Sequence, residues 1–262
     1  MFNKKKEDKS LRDCIDFKRL PKHIAVIMDG NGRWAKSHSF PRIRGHHHGV
    51  RAVKETVTAL SELGVKVLTL YSFSEENWQR PKSEVKALMA ILKNYLVKER
   101  NELIENDIRL KAIGNLSRLP KNVIIELKKS MEMTKDNKGM ILNLALSYSG
   151  RDEIIRAVNR VIKDCVNGKS GVQIDQKGFS EYLDTNGLPD PDLLIRTSGE
   201  QRISNYMLWQ LAYTEIYVTD VLWPDFGRTD LYKAIIEFQK RERRFGLVSE
   251  QLPNNNFIDV NY

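Results

Sequence analysis

His23-Ile24-Ala25-Val26-Ile27-Met28-Asp29-Gly30-Asn31-Gly32-Arg33-Trp34-Ala35 is the stretch from which the fold can be read. Ile24 to Met28 is a continuous apolar run, stopped by Asp29-Gly30-Asn31-Gly32, a strong turn signal. A short apolar run ended in this way reads as a buried strand. A carboxylate, two glycines and Arg33 directly after it form a loop whose backbone N–H groups can approach an anion. Asp29 beside such a cradle suggests a metal-bound phosphate, with the carboxylate on Mg²⁺. The bare alternative is a Gly-Asn turn with no ligand. Gly30-x-Gly32-x-x-Ala35 also fits the outline of a dinucleotide fingerprint, but that motif needs an acid about 20 residues on, ending the second strand. Here that position falls in a helical pattern near Glu55, and the second strand ends near Tyr71.

The same reading extends outward. Val50, Val53, Val57, Leu60 and Leu63 recur at steps of three and four before Gly64, the pattern of an amphipathic helix with a glycine stop. Further strands are expected over 65–71, 108–113, 140–146, 193–195 and 216–218. Further helices are expected over 83–105, 123–133, 154–166, near 179–183, and over 229–245. Strands alternating with helices argue for a parallel sheet covered on both faces. With no repeat and no linker, the expectation is a single α/β domain with a mostly parallel central sheet of about six strands flanked by helices. Ligands of such sheets sit beyond the carboxyl ends of the strands. The loops after Met28, Tyr71, Leu146 and Ile195 are therefore where chemistry should collect.

The chain has 262 residues, with 43 Lys and Arg against 34 Asp and Glu, a formal net charge of +9. That charge favours anionic partners without choosing among nucleic acid, acidic lipid and phosphorylated small molecules. No apolar run approaches the ~18 residues of a membrane span, and the basic start lacks the apolar stretch of a signal peptide, so the chain is expected in the cytosol. Cys14 and Cys165 form no CxxC pair, which excludes a zinc ribbon or disulfide framework.

From Asp29 to Arg51 there are five Lys and Arg and one acid, and four of the five histidines lie there. A zinc reading of His46-His47-His48 is weak, because consecutive helical residues point about 100° apart and all three cannot face one ion. One histidine acting as a phosphate donor or general acid is the more reasonable use.

The stretch from His23 to Ala35, with Arg42 and Gly45-His46-x-x-Gly49, resembles the cis-prenyltransferase family, whose best-known bacterial members are undecaprenyl diphosphate synthases. The resemblance continues at Ser74-Glu75-Glu76-Asn77-Trp78-x-Arg80-Pro81 with Glu84, and again from Pro189 through Arg196 and Arg202-Ile203-Ser204-Asn205. It closes with Trp209-Gln210, Glu215, Trp223-Pro224 and Arg241-x-Arg243-Arg244-Phe245-Gly246, so it covers roughly His23 to Gly246. It implies an enzyme that condenses isopentenyl diphosphate repeatedly, in cis geometry, onto an allylic diphosphate such as farnesyl diphosphate. Undecaprenyl diphosphate for cell-wall lipid carrier synthesis would be the product.

By resemblance, Asp29 and Asn77 are catalytic, and Asp29 and Glu215 bind Mg²⁺. Gly30, Asn31, Gly32, Arg33, Trp34, Arg42 and His46 hold the allylic diphosphate. Ser74, Glu75, Glu76, Trp78 and Arg80 line the substrate. Arg196, Arg202, Ile203 and Ser204 hold isopentenyl diphosphate, and independent chemistry agrees, since guanidiniums and a hydroxyl suit a diphosphate's acceptor oxygens. Asn77 is often given the proton-acceptor role, but a neutral amide is a poor base, which points to diphosphate or water instead. Other readings exist residue by residue: Trp78 could be core, Glu84 could complement a helix dipole, and Glu215 could be an ordinary surface glutamate.

The family also implies a homodimer, work at the membrane surface without insertion, and a hydrophobic tunnel for the product. Candidates for its lining are Leu88, Met89, Leu92 and Leu96 on one helix, with Leu142, Leu144 and Leu146 on a strand. The family's Asn-Tyr-Gly-Gly-Arg stands here as Ser147-Tyr148-Ser149-Gly150-Arg151, so Ser149 puts the local turn and tunnel shape in question. Residues 1–20 are expected as a flexible basic tail or a frayed first helix, 21–246 as the catalytic domain and 247–262 as a C-terminal tail. A trans-prenyl synthase is rejected because the chain contains no Asp-Asp pair. A nucleic-acid module predicts one basic face with interleaved aromatics, whereas the basic segments here are separate and coincide with acid or glycine motifs. A shorter or branched product and a catalytically silent relative remain as alternatives, although Asp29, Arg196, Arg202 and Glu215 are all present.

Overall fold

The computed structural model describes residues 2–168, 174–244 and 248. In chain order the elements are α1 (Phe2–Asp13), β1 (His23–Ile27), α2 (Asn31–Ser37), α3 (Arg42–Leu63) and β2 (Val67–Ser74). Then come α4 (Lys82–Lys98), α5 (Arg100–Glu105), β3 (Arg109–Ile113), α6 (Lys121–Met133), β4 (Ile141–Tyr148) and α7 (Gly150–Val166). The chain continues through α8 (Gln176–Ser180), β5 (Leu193–Thr197), β6 (Glu215–Thr219) and α9 (Arg228–Gln239). The six strands form one sheet in the order β3-β4-β2-β1-β5-β6, and every pairing is parallel. The expected α/β class, the sheet of six strands and the flanking helices are all present.

The strands are apolar because both faces of the sheet are covered. Ile24, Val26, Leu68, Leu70, Leu142 and Leu144 point to one side, where they pack with residues of α3, α4, α6 and α9. Ala25, Ile27, Ala145 and Leu194 point to the other, against Tyr148, Tyr206 and Met207. That second face carries a buried polar chain. His23 Nδ1 lies 2.7 Å from the Pro189 carbonyl, which can only accept, so Nδ1 bears the proton. Nε2 then accepts from the Thr69 hydroxyl at 2.7 Å, and that hydroxyl oxygen accepts from Asn143 Nδ2 at 3.2 Å.

Four expectations meet differences. Residues 83–105 are not one helix: α4 ends at Lys98, and Arg100 turns inward to donate to Ser130 (3.0 Å) and Glu126 (2.6 Å). α3 starts at Arg42, before the periodic pattern begins, because Gly45 and Gly49 let it lie directly on α2 and Trp223. A Cβ on Gly45 would stand 1.9 Å from the Asn31 carbonyl oxygen. Residues 2–13, within the stretch expected as a flexible tail or a frayed first helix, form α1, whose Asp8 accepts from the Thr229 hydroxyl of α9. α9 ends at Gln239; Phe245, Gly246, the boundary at 246 and, apart from Val248, the tail 247–262 lie outside the described residues.

Burial drives the His23 pKa from 6.5 down to about 4, against the opposing Pro189 carbonyl and Asp192 charge. Below pH 6.5 the unfolded chain takes up a proton that the folded chain refuses, so stability falls as pH drops from 6.5 towards 4. The loss should approach ~3 kcal/mol at pH 4. Urea unfolding of wild type and His23→Gln at pH 7 and pH 4.5 checks this: the wild-type loss should shrink in the variant.

Candidate active site

The carboxyl ends of β1, β2, β4 and β5 converge, and Asp29 sits between β1 and β5. Its backbone N–H donates to Thr197 Oγ1 at 2.9 Å, while that hydroxyl donates to the Asp29 carbonyl at 2.6 Å, locking the loop to the next strand. Asp29 Oδ1 accepts from the Gly30 N–H (2.7 Å) and Oδ2 from Arg196 Nη2 (2.9 Å), with Arg33 3.7 Å away. Burial pushes the carboxyl pKa up, but the Arg196 and Gly30 hydrogen bonds and the charges of Arg196 and Arg33 outweigh it. The pKa is held below its ordinary value, and Asp29 is an anion at neutral pH.

Arg196 is nearly buried, and its Nη1 donates to Ser204 Oγ at 2.9 Å and to the Arg202 carbonyl. The loop that brings Ser204 there is held in the left-handed region at Ser198, Gly199, Ser204, Asn205 and Met207, a costly run of the kind that concentrates at functional sites. Arg202 and Ile203, with Arg196, line a recess of about 220 Å³, and Arg202 pairs with Glu200 at 2.5 Å. Arg33 crosses to this loop, donating to the Ser198 carbonyl at 2.9 Å and lying 3.4 Å from Glu200.

On the other side of Asp29 opens a second cavity of about 200 Å³, lined at its mouth by Gly30, Asn31, Gly32, Arg42, His46, Asn77 and Arg80. Glu84, at the start of α4, gathers this cluster: Arg42 Nε lies 3.0 Å, Arg80 Nη1 3.1 Å and His46 Nε2 3.8 Å from its Oε1. Burial and the charges of Arg80 and Arg42 lower the His46 pKa to about 4, against the attraction of Glu84. His46 is therefore neutral at pH 7, and its buried Nε2 has no hydrogen-bond partner in the protein. Asn77 Oδ1 accepts from the Ser74 N–H at 3.2 Å, so the side chain offers the cavity N–H donors more readily than a base.

Below the mouth the lining turns apolar. Leu88, Met89, Leu92, Leu144 and Leu146 line the cavity as expected, while Leu96 and Leu142 do not; both are packed in the core. Five other assigned residues have their side chains away from the cavity. Trp34 is buried behind the loop, donating to Asp225 Oδ1 at 2.8 Å between His38 and His48. Trp78 donates to Ser147 Oγ at 2.8 Å and packs on Phe73 beneath the Arg118 guanidinium. Glu75 pairs with Arg118 and accepts from Ser147 at 2.7 Å, and Ser74 is engaged in capping the turn at Glu75–Gln79. Glu76 accepts from Asn205 at 3.0 Å, tying the β2 loop to the Ser204 loop.

Glu215 is not brought to Asp29. It opens β6 and is level with Leu193, whereas Asp29 lies two residues past Ile27, which is level with Arg196. At ~3.3 Å per residue the two are roughly 15 Å apart along the strands. Glu215 instead accepts from Arg241 at 2.8 Å. Ser149 causes none of the distortion its motif suggested: its φ is −152°, and its hydroxyl caps α7 and accepts from Asn205 at 2.7 Å. The sequence reading missed Glu84 as the organiser of the mouth and Thr197 as the lock on Asp29. A glutamate four residues after Arg80 was the available signal for the first.

The family model described as "Putative undecaprenyl diphosphate synthase" matches residues 27–246. The isoprenyl transferase of Clostridium perfringens is 49% identical over 246 residues, covering 94% of this chain and 97% of that protein. The isoprenyl transferase of Chlorobaculum tepidum is 53% identical over 237 residues, 90% of this chain and 89% of that protein. Among solved structures, lavandulyl diphosphate synthase from Lavandula x intermedia in complex with dimethylallyl diphosphate is similar with a TM-score of 0.85 at 39% identity, over 87% of this chain and 99% of that chain. "A probable undecaprenyl diphosphate synthase" from Campylobacter jejuni is similar with a TM-score of 0.73 at 36% identity, over 86% of this chain and 98% of that one.

Glu84→Gln should lower kcat/KM for prenyl transfer by roughly tenfold or more, because Arg42 and Arg80 lose their shared anchor; a change under twofold in steady-state assays would refute that role. Trp34→Phe should lower unfolding stability by about 1 kcal/mol through the lost Asp225 hydrogen bond while leaving KM within about twofold. Denaturant titration beside the same assays separates the two effects.

Proposed function

The chain belongs to the undecaprenyl diphosphate synthase family of prenyltransferases, and from that premise we propose that it condenses isopentenyl diphosphate repeatedly, in cis, onto farnesyl diphosphate to make undecaprenyl diphosphate. The observation that carries this reading is the meeting of two recesses at the Asp29–Arg196 pair. One is a small recess bearing the guanidiniums of Arg196 and Arg202 over an aliphatic wall of Leu194, Ile216 and Val218; the other has a cationic mouth over an apolar interior. An amphiphile with a diphosphate head and a hydrocarbon tail matches the second, and a small diphosphate matches the first.

The reaction breaks the allylic C–O bond, and diphosphate departs with the electron pair. The terminal carbon of isopentenyl diphosphate bonds to the allylic carbon, and a proton is lost to restore the double bond. Arg42 and Arg80 hold the leaving diphosphate and stabilise its developing charge, with His46 donating one neutral N–H. Arg196, Arg202 and Ser204 hold isopentenyl diphosphate beside it. Asn77 orients substrate through its amide, and the departing diphosphate or water takes the proton. The apolar wall of Leu88, Leu92 and Leu146 excludes water from the cation.

Magnesium is the cofactor we assign to this site. Asp29 fits it: an ionised, half-exposed carboxylate of the hard-oxygen kind Mg²⁺ prefers. Among the described residues no three His, Cys, Asp or Glu cluster into a full cage, so diphosphate and water would complete the shell. When bound, the ion neutralises diphosphate charge. Glu215, paired with Arg241, has no part in that shell within one chain.

We also assign a homodimer, supported by Ile155, Val158, Ile162 and Val166, an exposed apolar stripe on α7. No helix among the described residues is long and apolar enough to cross a membrane, and the hydrocarbon product supports peripheral contact with a membrane surface.

Incubation with farnesyl diphosphate, radiolabelled isopentenyl diphosphate and Mg²⁺, with chromatography of the products, should give a long polyprenyl diphosphate. A short or branched product would move the chain towards the activity in the lavandulyl relative's name. Asp29→Ala should cut turnover by about a thousandfold or more with the fold intact by circular dichroism; near-normal turnover with Mg²⁺ would refute the metal role. Arg202→Ala should raise KM for isopentenyl diphosphate more than for the allylic substrate, and equal losses would refute two separate sites.

A further inference from the structure

We propose that Tyr95 is the floor of the hydrocarbon cavity and sets how far the product grows; the inference rests on the prenyltransfer reading above. α3 and α4 both descend from the mouth. Arg42 and His46 stand at the top of one and Val53 lower down; Arg80 and Glu84 stand at the top of the other and Tyr95 lower down. At ~1.5 Å per residue, Tyr95 lies about 16 Å beyond Glu84, and Val53 about as far beyond Arg42. No described residue of α4 after Tyr95 lines the cavity.

Beyond Tyr95, at the surface, an exposed ionic clasp bridges the two helices. Lys54, one residue after Val53, donates to Glu99 at 3.1 Å and to Glu102, tying α3 to the break between α4 and α5. The Glu99 N–H bonds the Tyr95 carbonyl at 2.9 Å, so ring and clasp share one turn of helix. Burial, then the charges of Glu99 and Glu102, raise the Tyr95 phenol pKa, which keeps the ring neutral between the cavity and the clasp. A growing chain therefore meets an aromatic ring and, beyond it, a hydrated ionic clasp that offers hydrocarbon no apolar wall. Leu88 and Leu92 are walls that every intermediate passes. Tyr95 is reached only when the tail has filled the cavity, so it acts on late condensations and not on the first.

The test is product length. Purified full-length wild type, Tyr95→Ala, Tyr95→Trp and Lys54→Ala are incubated with farnesyl diphosphate, radiolabelled isopentenyl diphosphate and Mg²⁺, and the products are sized by chromatography. Tyr95→Ala should lengthen the main product by roughly one five-carbon unit or more, because the lost ring leaves a void. Tyr95→Trp should shorten it, and Lys54→Ala should lengthen it less than Tyr95→Ala. The initial rate of farnesyl diphosphate consumption should stay within about twofold in all three. Wild-type lengths in every folded variant would overturn the assignment, and Tyr95→Trp and Lys54→Ala carry the test should Tyr95→Ala misfold. A wild type that incorporates no isopentenyl diphosphate refutes the prenyltransfer reading itself and takes the floor with it.

Discussion

The pairing of Asp29 with Arg196 is the constraint around which the site is arranged. A guanidinium that is nearly buried needs a carboxylate and further acceptors, since unpaired burial of a charge is costly. Asp29, Ser204 and the Arg202 carbonyl supply them. β1 and β5 must therefore be neighbours in the sheet, and their loops must meet. The left-handed residues between Ser198 and Met207 follow from this, because only a sharply folded loop returns Ser204 to the guanidinium. The same pair keeps Asp29 ionised and separates the two recesses, so one electrostatic contact sets both topology and the division of the site.

The framework of the fold was legible in the sequence where local pattern and burial agree. The run Ile24 to Met28 is apolar on both faces because the sheet is covered on both faces, and Gly64 closes α3 in the left-handed conformation its position suggested. Pattern failed where a tertiary partner decides. Residues 83–105 have helical periodicity throughout, yet the break after Lys98 exists because Arg100 finds Ser130 and Glu126 on α6. Asn31 to Ser37 has no apolar period, and its helix is held by Trp34 reaching Asp225.

The site divides along the same line. Motifs located Asp29, Arg42, Asn77, Arg80, Arg196 and Ser204, which the structure gathers at one end of the sheet. They also swept in Trp34, Trp78 and Glu75, which stand in the same sequence segments but hold the loops from behind. Leu92 and Leu96 lie one helical turn apart, and only the packing of α4 decides that one faces the cavity and the other the core. Glu215 sits in a recognisable motif, but the parallel register puts it at the amino end of β6.

The contact between Gly45 and the Asn31 backbone has a consequence for how the proposed elongation would be handled by the site. The head-binding loop is wedged between α3 and Trp223, so its ordering entropy is spent at folding and not at each encounter. The apolar end is walled in part by Met89, an unbranched thioether side chain that repacks around different volumes. On the elongation proposed above, a stiff socket for the unvarying group and a yielding sleeve for the varying one would let a single site treat every intermediate as the same substrate.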